Sequence, residues 1–282
     1  MPTFALLPSR GVIALSGEEA STFLNGLITA NVEEVDQGTA AYGALLAPQG
    51  KILFDFFIQR DGERYLVDCS ASQRPDLIKR LTFYKLRAKV EIVDLSDTMG
   101  VAVGWDGAEL PGHAYPDPRS EAAGVRTVAA LDDLTALDDA GEEAYETHRI
   151  ALGLADSDRD IGSGVLFPHE ANFDQVGGVH FTKGCYVGQE VVSRMKHKAK
   201  VRKRIVIAQG ESGTLASGSE ITTDGKVSGT VLSTQGAEGL ALIRLDRLED
   251  AYANASEISA GEARLTFRKP EWATFEMPEA PN

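Results

Sequence analysis

The chain has 282 residues, 43% apolar and 25% charged, with 28 glycines and 11 prolines. That is the balance of a globular protein rather than a disordered, collagenous or membrane one. Its formal net charge of −14 argues against non-specific nucleic-acid binding and against direct binding of tRNA. Two cysteines, Cys69 and Cys185, exclude a disulfide scaffold. They cannot by themselves supply the four ligands of a usual iron–sulfur cluster, so a cluster would be shared with another chain or a small ligand. The first residues show no basic region leading into an apolar stretch, and no long apolar run follows, so the expectation is a cytoplasmic protein without a membrane partner.

Along the chain, Val12–Leu15 reads as a strand. Ser16 and Glu19 fit a capping box, and Ala20, Phe23, Leu24, Leu27 and Ile28 recur at helical spacing, which predicts a helix over 17–30. Ala40–Leu46 and Lys51–Gln59 flank Ala-Pro-Gln-Gly and predict a hairpin. Arg64–Cys69 is a further strand, Ser72 caps a helix through Leu81, and Ala88–Val93 is a strand. The order approximates β-α-β-β-β-α-β, a split βαβ with extra strand material. Strands at 99–104 and 125–129, a short helix over 131–139 and a helix at 142–153 continue it. A long loop spans 156–180, and long loops in compact domains are often functional. A boundary falls near 200. Beyond it, Arg204–Ala208, Lys226–Thr234, Leu240–Leu245 and Ala263–Phe267 are short strands with a helix near 246–252, which suggests a small antiparallel barrel or sandwich.

Basic residues gather in two places. Residues 79–89 carry five and 194–204 carry seven, with no acid in either. Arg194, Lys196, Lys198, Lys200 and Arg202 alternate, which predicts a half-buried strand with a cationic face suited to a carboxylate-rich or phosphorylated ligand. No aromatic residue is interleaved for base stacking. The densest segment for chemistry is Lys183-Gly184-Cys185-Tyr186-Val187-Gly188-Gln189-Glu190. Its glycines permit a tight backbone around the thiol, and Lys183 would favour thiolate at Cys185. Buried packing is the alternative for Cys185, and the expectation for Cys69 in its alternating strand. Asp55 sits in the apolar run Ile52–Ile58, where it is either paired or has a raised pKa, and both suit a proton-handling group. Dinucleotide and P-loop motifs are absent, as is zinc-ligand spacing.

These residues resemble the folate-binding YgfZ family, relatives of the glycine-cleavage T-protein (aminomethyltransferase), which includes a mitochondrial iron–sulfur assembly factor. The signature K-G-C-Y-x-G-Q-E stands at Lys183–Glu190. Phe23-Leu24-Asn25-Gly26, Pro48-Gln49-Gly50-Lys51 with Asp55, Tyr84-Lys85-Leu86-Arg87 and Arg149 with Gly153 support it. The resemblance implies an α+β, T-protein-like folate-binding region with ferredoxin-like β-α-β-β-α-β elements over 1–199, arranged around a central hole, and a C-terminal antiparallel β-barrel over 200–282. It implies tetrahydrofolate or a derivative as ligand and iron–sulfur clients or assembly machinery as partners. The implied role is assistance to iron–sulfur cluster assembly or repair, indirectly supporting tRNA modification. Cys185 and Asp55 would be the reactive residues, with Asn25, Asp55, Lys183, Gly184, Tyr186, Gly188, Gln189, Glu190 and Arg194 around the cofactor. The alternative is a tetrahydrofolate-dependent aminomethyl or one-carbon transferase, and Asp55 matches the T-protein's catalytic aspartate. Against it, the pterin-contacting glutamate of the T-protein's R-L-E-A-G falls at Ala151. A third reading is a module that docks on a client through 194–204.

Overall fold

A computed structural model describes every residue except 113, 199, 200, 212, 213, 281 and 282, and the side chain of Lys198. The elements in chain order are β1 (Thr3–Leu6), β2 (Arg10–Ser16), α1 (Ala20–Asn25), α2 (Val32–Asp36), β3 (Ala41–Leu46), β4 (Ile52–Asp61), β5 (Arg64–Ser70), α3 (Arg74–Lys85) and β6 (Glu91–Asp94). They continue with β7 (Met99–Trp105), β8 (Tyr115–Pro116), β9 (Val125–Ala130), α4 (Leu131–Leu134), α5 (Glu142–Leu152) and α6 (Gln189–Lys198). The last group is β10 (Lys203–Gly210), β11 (Glu220–Thr223), β12 (Lys226–Gln235), β13 (Glu238–Arg244), α7 (Leu245–Ala253), β14 (Ile258–Ala260) and β15 (Ala263–Arg268).

Three β-layers result. A five-stranded antiparallel sheet runs β3-β4-β5-β2-β6, a four-stranded sheet runs β1-β7-β9-β8, and β10-β13-β12-β11-β14-β15 close into a barrel. Except at the edge strand β6, the five-stranded sheet is buried on both faces because its strands are mainly apolar. Ile13, Leu15, Phe54, Phe56, Ile58, Tyr65, Val67 and Cys69 pack with Leu24, Val32, Leu77 and Leu81 of the helices. The alternate residues point the other way, as the two-residue period of a strand requires. Val12, Ala14 and Leu66 meet Val101, Val103 and Val128 of the second sheet. Tyr42, Ala44, Leu46 and Phe57 meet Ile150 and Phe173, together with Ile205, Ile207 and Leu240 of the barrel.

The expected helix over 17–30 is shorter, because α1 ends at Asn25 and the chain turns to pair with β3. Ile28 bridges Leu45, and Thr29 N–H donates to Ala44 O at 2.9 Å. The capping box does not form. Ser16 lies in β2, and the Glu19 carboxylate accepts from the Lys89 amide at 2.7 Å. The hydroxyl of Ser72 likewise donates to Asp158 at 2.8 Å rather than capping α3, which Gln73 precedes.

The alternating strand expected at 194–202 is a helix as far as Lys198. Val191, Val192 and Met195 recur at helical spacing, and Val192 is wholly buried. Strand β10 starts only at Lys203. The five cations therefore share no single face. Arg194 pairs with Glu190 at 3.1 Å, Lys196 lies 3.6 Å from the Phe181 ring centre, Arg202 is exposed, and Lys200 falls outside the described residues.

Candidate functional site

The strand period brings Asp55 and Phe57 of β4 and Asp68 of β5 onto one face, and the register sets Phe57 opposite Asp68. That face turns toward the second sheet, and arginines from three different segments of the chain converge on it. Arg126 of β9 donates from Nη2 to Asp68 Oδ2 at 2.6 Å, and its guanidinium lies 3.9 Å from the Phe57 ring centre. Arg10 donates from Nε to Asp68 Oδ1 at 2.6 Å. Arg119 pairs with Asp117 through Nη2 at 2.8 Å, donates to Tyr145 Oη at 2.9 Å and lies 4.7 Å from the Phe57 ring centre.

Burial alone would push Asp68 and Asp117 up, but the adjoining arginines hold both carboxyls below the usual carboxylate range. Asp55 differs. Burial dominates and raises its pKa, although Arg10 and hydrogen bonds from Ser157 and Tyr42 oppose the shift. Tyr42 Oη donates to Asp55 Oδ2 at 2.9 Å. Asp55 can therefore retain a proton at a pH where an exposed aspartate has lost it.

The space beside Asp55 is small. A cavity of about 20 Å³ is lined by Arg10, Asp55, Phe57, Arg119, Arg126 and Ser157, among others. That is room for about one water molecule. Glu142 and Glu146 belong both to this cavity and to an open cleft of about 670 Å³ whose other walls include Glu143, Asp158 and Gln235. That neighbouring cleft carries four carboxylates and one cation, Arg159, and so is acidic rather than suited to a folate tail.

Cys185 stands elsewhere. Its loop is latched to the segment after α1. Thr29 Oγ1 donates to Gly178 O at 2.6 Å, and His180 N–H donates to Thr29 O at 2.9 Å. The Lys183 amide donates to His180 Nδ1 at 3.1 Å, while His180 Nε2 faces Glu34 at 3.0 Å. Lys183 Nζ donates to the carbonyls of Ile28 and Ala30 at 2.9 and 2.6 Å and lies over the Tyr186 ring. Burial lowers its pKa to about 8. Its ammonium is engaged with these carbonyls, so it anchors the loop, rather than serving mainly to activate the thiol.

Tyr186 is buried and Val187 packs against the helical core, while Gly184 and Cys185 between these anchors are exposed. Gly188 has φ +83°, and a Cβ there would lie 2.8 Å from Ala47 O, so the close approach of the loop to the β3–β4 hairpin requires glycine. Gln189 and Glu190 open α6.

The residues expected around one ligand therefore fall in separate places. Asn25 Oδ1 accepts from the Val32 amide at 3.2 Å and joins α1 to α2. Neither Asn25 nor any residue of 183–194 lines the Asp55 cavity. Ala151 is exposed on α5, and its carbonyl accepts from Arg268. Sequence reasoning missed Arg10, Asp68, Arg119, Arg126 and the His180 latch. The signal available was a charge inside an apolar strand, at Asp68 and at Arg126.

Comparison with known proteins bears on both regions. Residues 9–103 match the GCVT N-terminal domain, and residues 202–275 match the CAF17 C-terminal beta-barrel domain. An iron–sulfur cluster assembly factor IBA57 homolog of Pyricularia oryzae is 34% identical over 88% of this chain and 73% of its own length. Human IBA57 is 29% identical over 94% of this chain and 84% of its own. The crystal structure of a glycine cleavage system aminomethyltransferase T from Bartonella henselae superposes with a TM-score of 0.75 at 14% identity, covering 96% of this chain and 86% of that one. The fold is therefore that of the aminomethyltransferase T-protein with a closed C-terminal barrel, as the sequence implied. Both IBA57 relatives are named as mitochondrial proteins, which overturns the cytoplasmic placement expected above.

Proposed function

The chain belongs to the family of the iron–sulfur cluster assembly factor IBA57, and from that premise we propose that it works in iron–sulfur cluster assembly through Cys185. The observation that carries this reading is an exposed thiol at the end of a loop whose flanks are fixed by hydrogen bonds and buried side chains. Cys69 offers nothing comparable, since burial pushes its thiol up to about 12. One reachable sulfur cannot complete a cluster that needs about four ligands. The cluster is then a substrate held jointly with the assembly machinery or a client, and exposure of Cys185 lets that partner approach. Residues 1–199 would carry this loop, with 200–282 as the barrel domain.

The family resemblance also implies tetrahydrofolate as ligand and support of tRNA modification. The Asp55 cavity suits a polar ligand by its donors, but as arranged it does not fit a pterin. It is about 20 Å³, guanidinium groups lie against the Phe57 ring, and the rim carries Glu142 and Glu146. The same geometry disfavours one-carbon transfer, which the match of Asp55 to the T-protein's aspartate supports and Ala151, in place of the pterin-contacting glutamate, opposes.

The test is complementation of a strain lacking its own factor. The Cys185→Ala variant should restore iron–sulfur enzyme activity no better than an empty vector, whereas Cys69→Ala should restore it as wild type does. Full restoration by Cys185→Ala overturns the proposal.

A further inference from the structure

The basic segment 79–89 belongs to neither region. It forms the C-terminal half of α3 and the turn beyond it. Helical spacing puts Lys79, Arg80 and Phe83 on one stripe, with Leu86 and Arg87 continuing it where the helix ends. All five are exposed, and Phe83 and Leu86 are 69% and 86% exposed, large values for apolar side chains. Tyr84 packs on the helical core and meets the Phe83 ring edge at 5.7 Å, which sets that ring facing outward. Leu86 follows α3 at φ +47°, a conformation usually left to glycine at a helix end. The fold thus bends a bulky residue into an unfavourable backbone to hold it in water.

Charge points the same way. Lys79, Arg80, Lys85 and Arg87 have no ion-pair partner among the described residues, whereas Lys89 pairs with Glu18 at 2.6 Å. Asp76 at the helix start and Glu91 on β6 are the nearest acids in sequence. Outside 79–89 and 194–204 the chain has 16 basic against 42 acidic residues. An acidic partner is repelled from most of this surface and drawn here within a Debye length of about 10 Å.

We propose that Lys79, Arg80, Phe83, Leu86 and Arg87 form a docking surface for an acidic protein, which packs apolar side chains on Phe83 and Leu86 and rings them with carboxylates. Two apolar side chains are too few to seat a helix in a lipid interface, which needs a continuous apolar face. Phe83 is one exposed ring where base stacking needs several, and the net charge of −14 repels a phosphate backbone. The proposal does not depend on the role given to Cys185.

The test places p-benzoylphenylalanine at position 83 of the full chain in cells, identifies the crosslinked protein and measures its binding in purified form by calorimetry. The expected adduct is a protein of acidic surface. Its Kd should rise at least tenfold with Phe83→Ser/Leu86→Ser and with Lys79→Glu/Arg80→Glu/Arg87→Glu, and should rise with salt for the wild type. Because the altered side chains are exposed, both variants should melt as wild type does, and Cys185→Ala should bind normally. An adduct with lipid, RNA or a second copy of this chain overturns the proposal. So does the lack of any adduct, or a Kd that neither variant moves.

Discussion

Arg149 is the residue whose removal the structure describes in most detail. Its side chain is 1% exposed and uses its whole fork. Nε and Nη2 donate to Glu146 at 2.7 and 2.5 Å, Nη1 to Asp160 Oδ2 and Leu154 O at 2.7 and 3.0 Å, and Nη2 also to Ser233 Oγ at 2.7 Å. One guanidinium thus fastens α5, the turn after it and β12 of the barrel. Replacing Arg149 by Met keeps the volume and leaves two carboxylates short of a cation. Glu146 retains Arg159 at 2.7 Å on its outer side, and Asp160 retains the Asp156 and Ser233 amides, both at 2.8 Å. Breaking a buried pair from one side costs about 3–5 kcal/mol, and the surviving partners place this case near the lower figure. For a chain of this size, at about 2.1 cal/mol/K of unfolding entropy per residue, that is a fall in Tm of roughly 5–8 °C. Urea and thermal unfolding followed by circular dichroism would measure it. Arg149→Lys should recover less than half of the loss, because an ammonium is a point charge without a planar fork. A loss under about 1 kcal/mol for Arg149→Met would refute the view that this network joins the barrel to the rest.

Asp55→Asn tests the buried carboxyl by its pH dependence. A carboxyl whose folded pKa is raised favours the folded state below its unfolded pKa near 3.9, and that contribution is lost as pH rises through the folded value. Relative to wild type, the variant should therefore gain stability between about pH 4 and pH 8. Urea midpoints at both ends check it, and a relative loss on raising the pH would contradict the assigned shift. Lys183→Met removes the two hydrogen bonds to the 28–30 segment. Hydrogen exchange of amides 178–188 should quicken about tenfold, the equivalent of one net hydrogen bond of about 1.4 kcal/mol. Protection equal to wild type would show that the Thr29 and His180 bonds hold the loop alone.

Where local pattern and tertiary demand agreed, the fold was legible in the sequence. The hairpin of β3 and β4, the helix α5 and the barrel strands β10, β12, β13 and β15 follow from alternation and turn chemistry that packing did not need to override, whereas the short β11 and β14 left no such pattern. The failures share a cause. The periodicity from Ala20 to Ile28 satisfies a helix, yet backbone pairing with β3 claims Ile28 and Thr29. The alternation from Arg194 to Arg202 satisfies a strand, yet the apolar stripe of Val192 and Met195 could be buried only by a helix. A two-residue period in charge says little when every member is soluble on any face. The candidate site divides along the same line. Cys185 was legible because glycines on either side of a thiol describe a loop by themselves. The arginines around Asp55 were not, since each comes from a different element and is fixed by partners distant in sequence. Arg126 alone gave warning: a cation between Val125 and Val128, in a strand buried between two others, has to find an acid, and the acid it finds is Asp68.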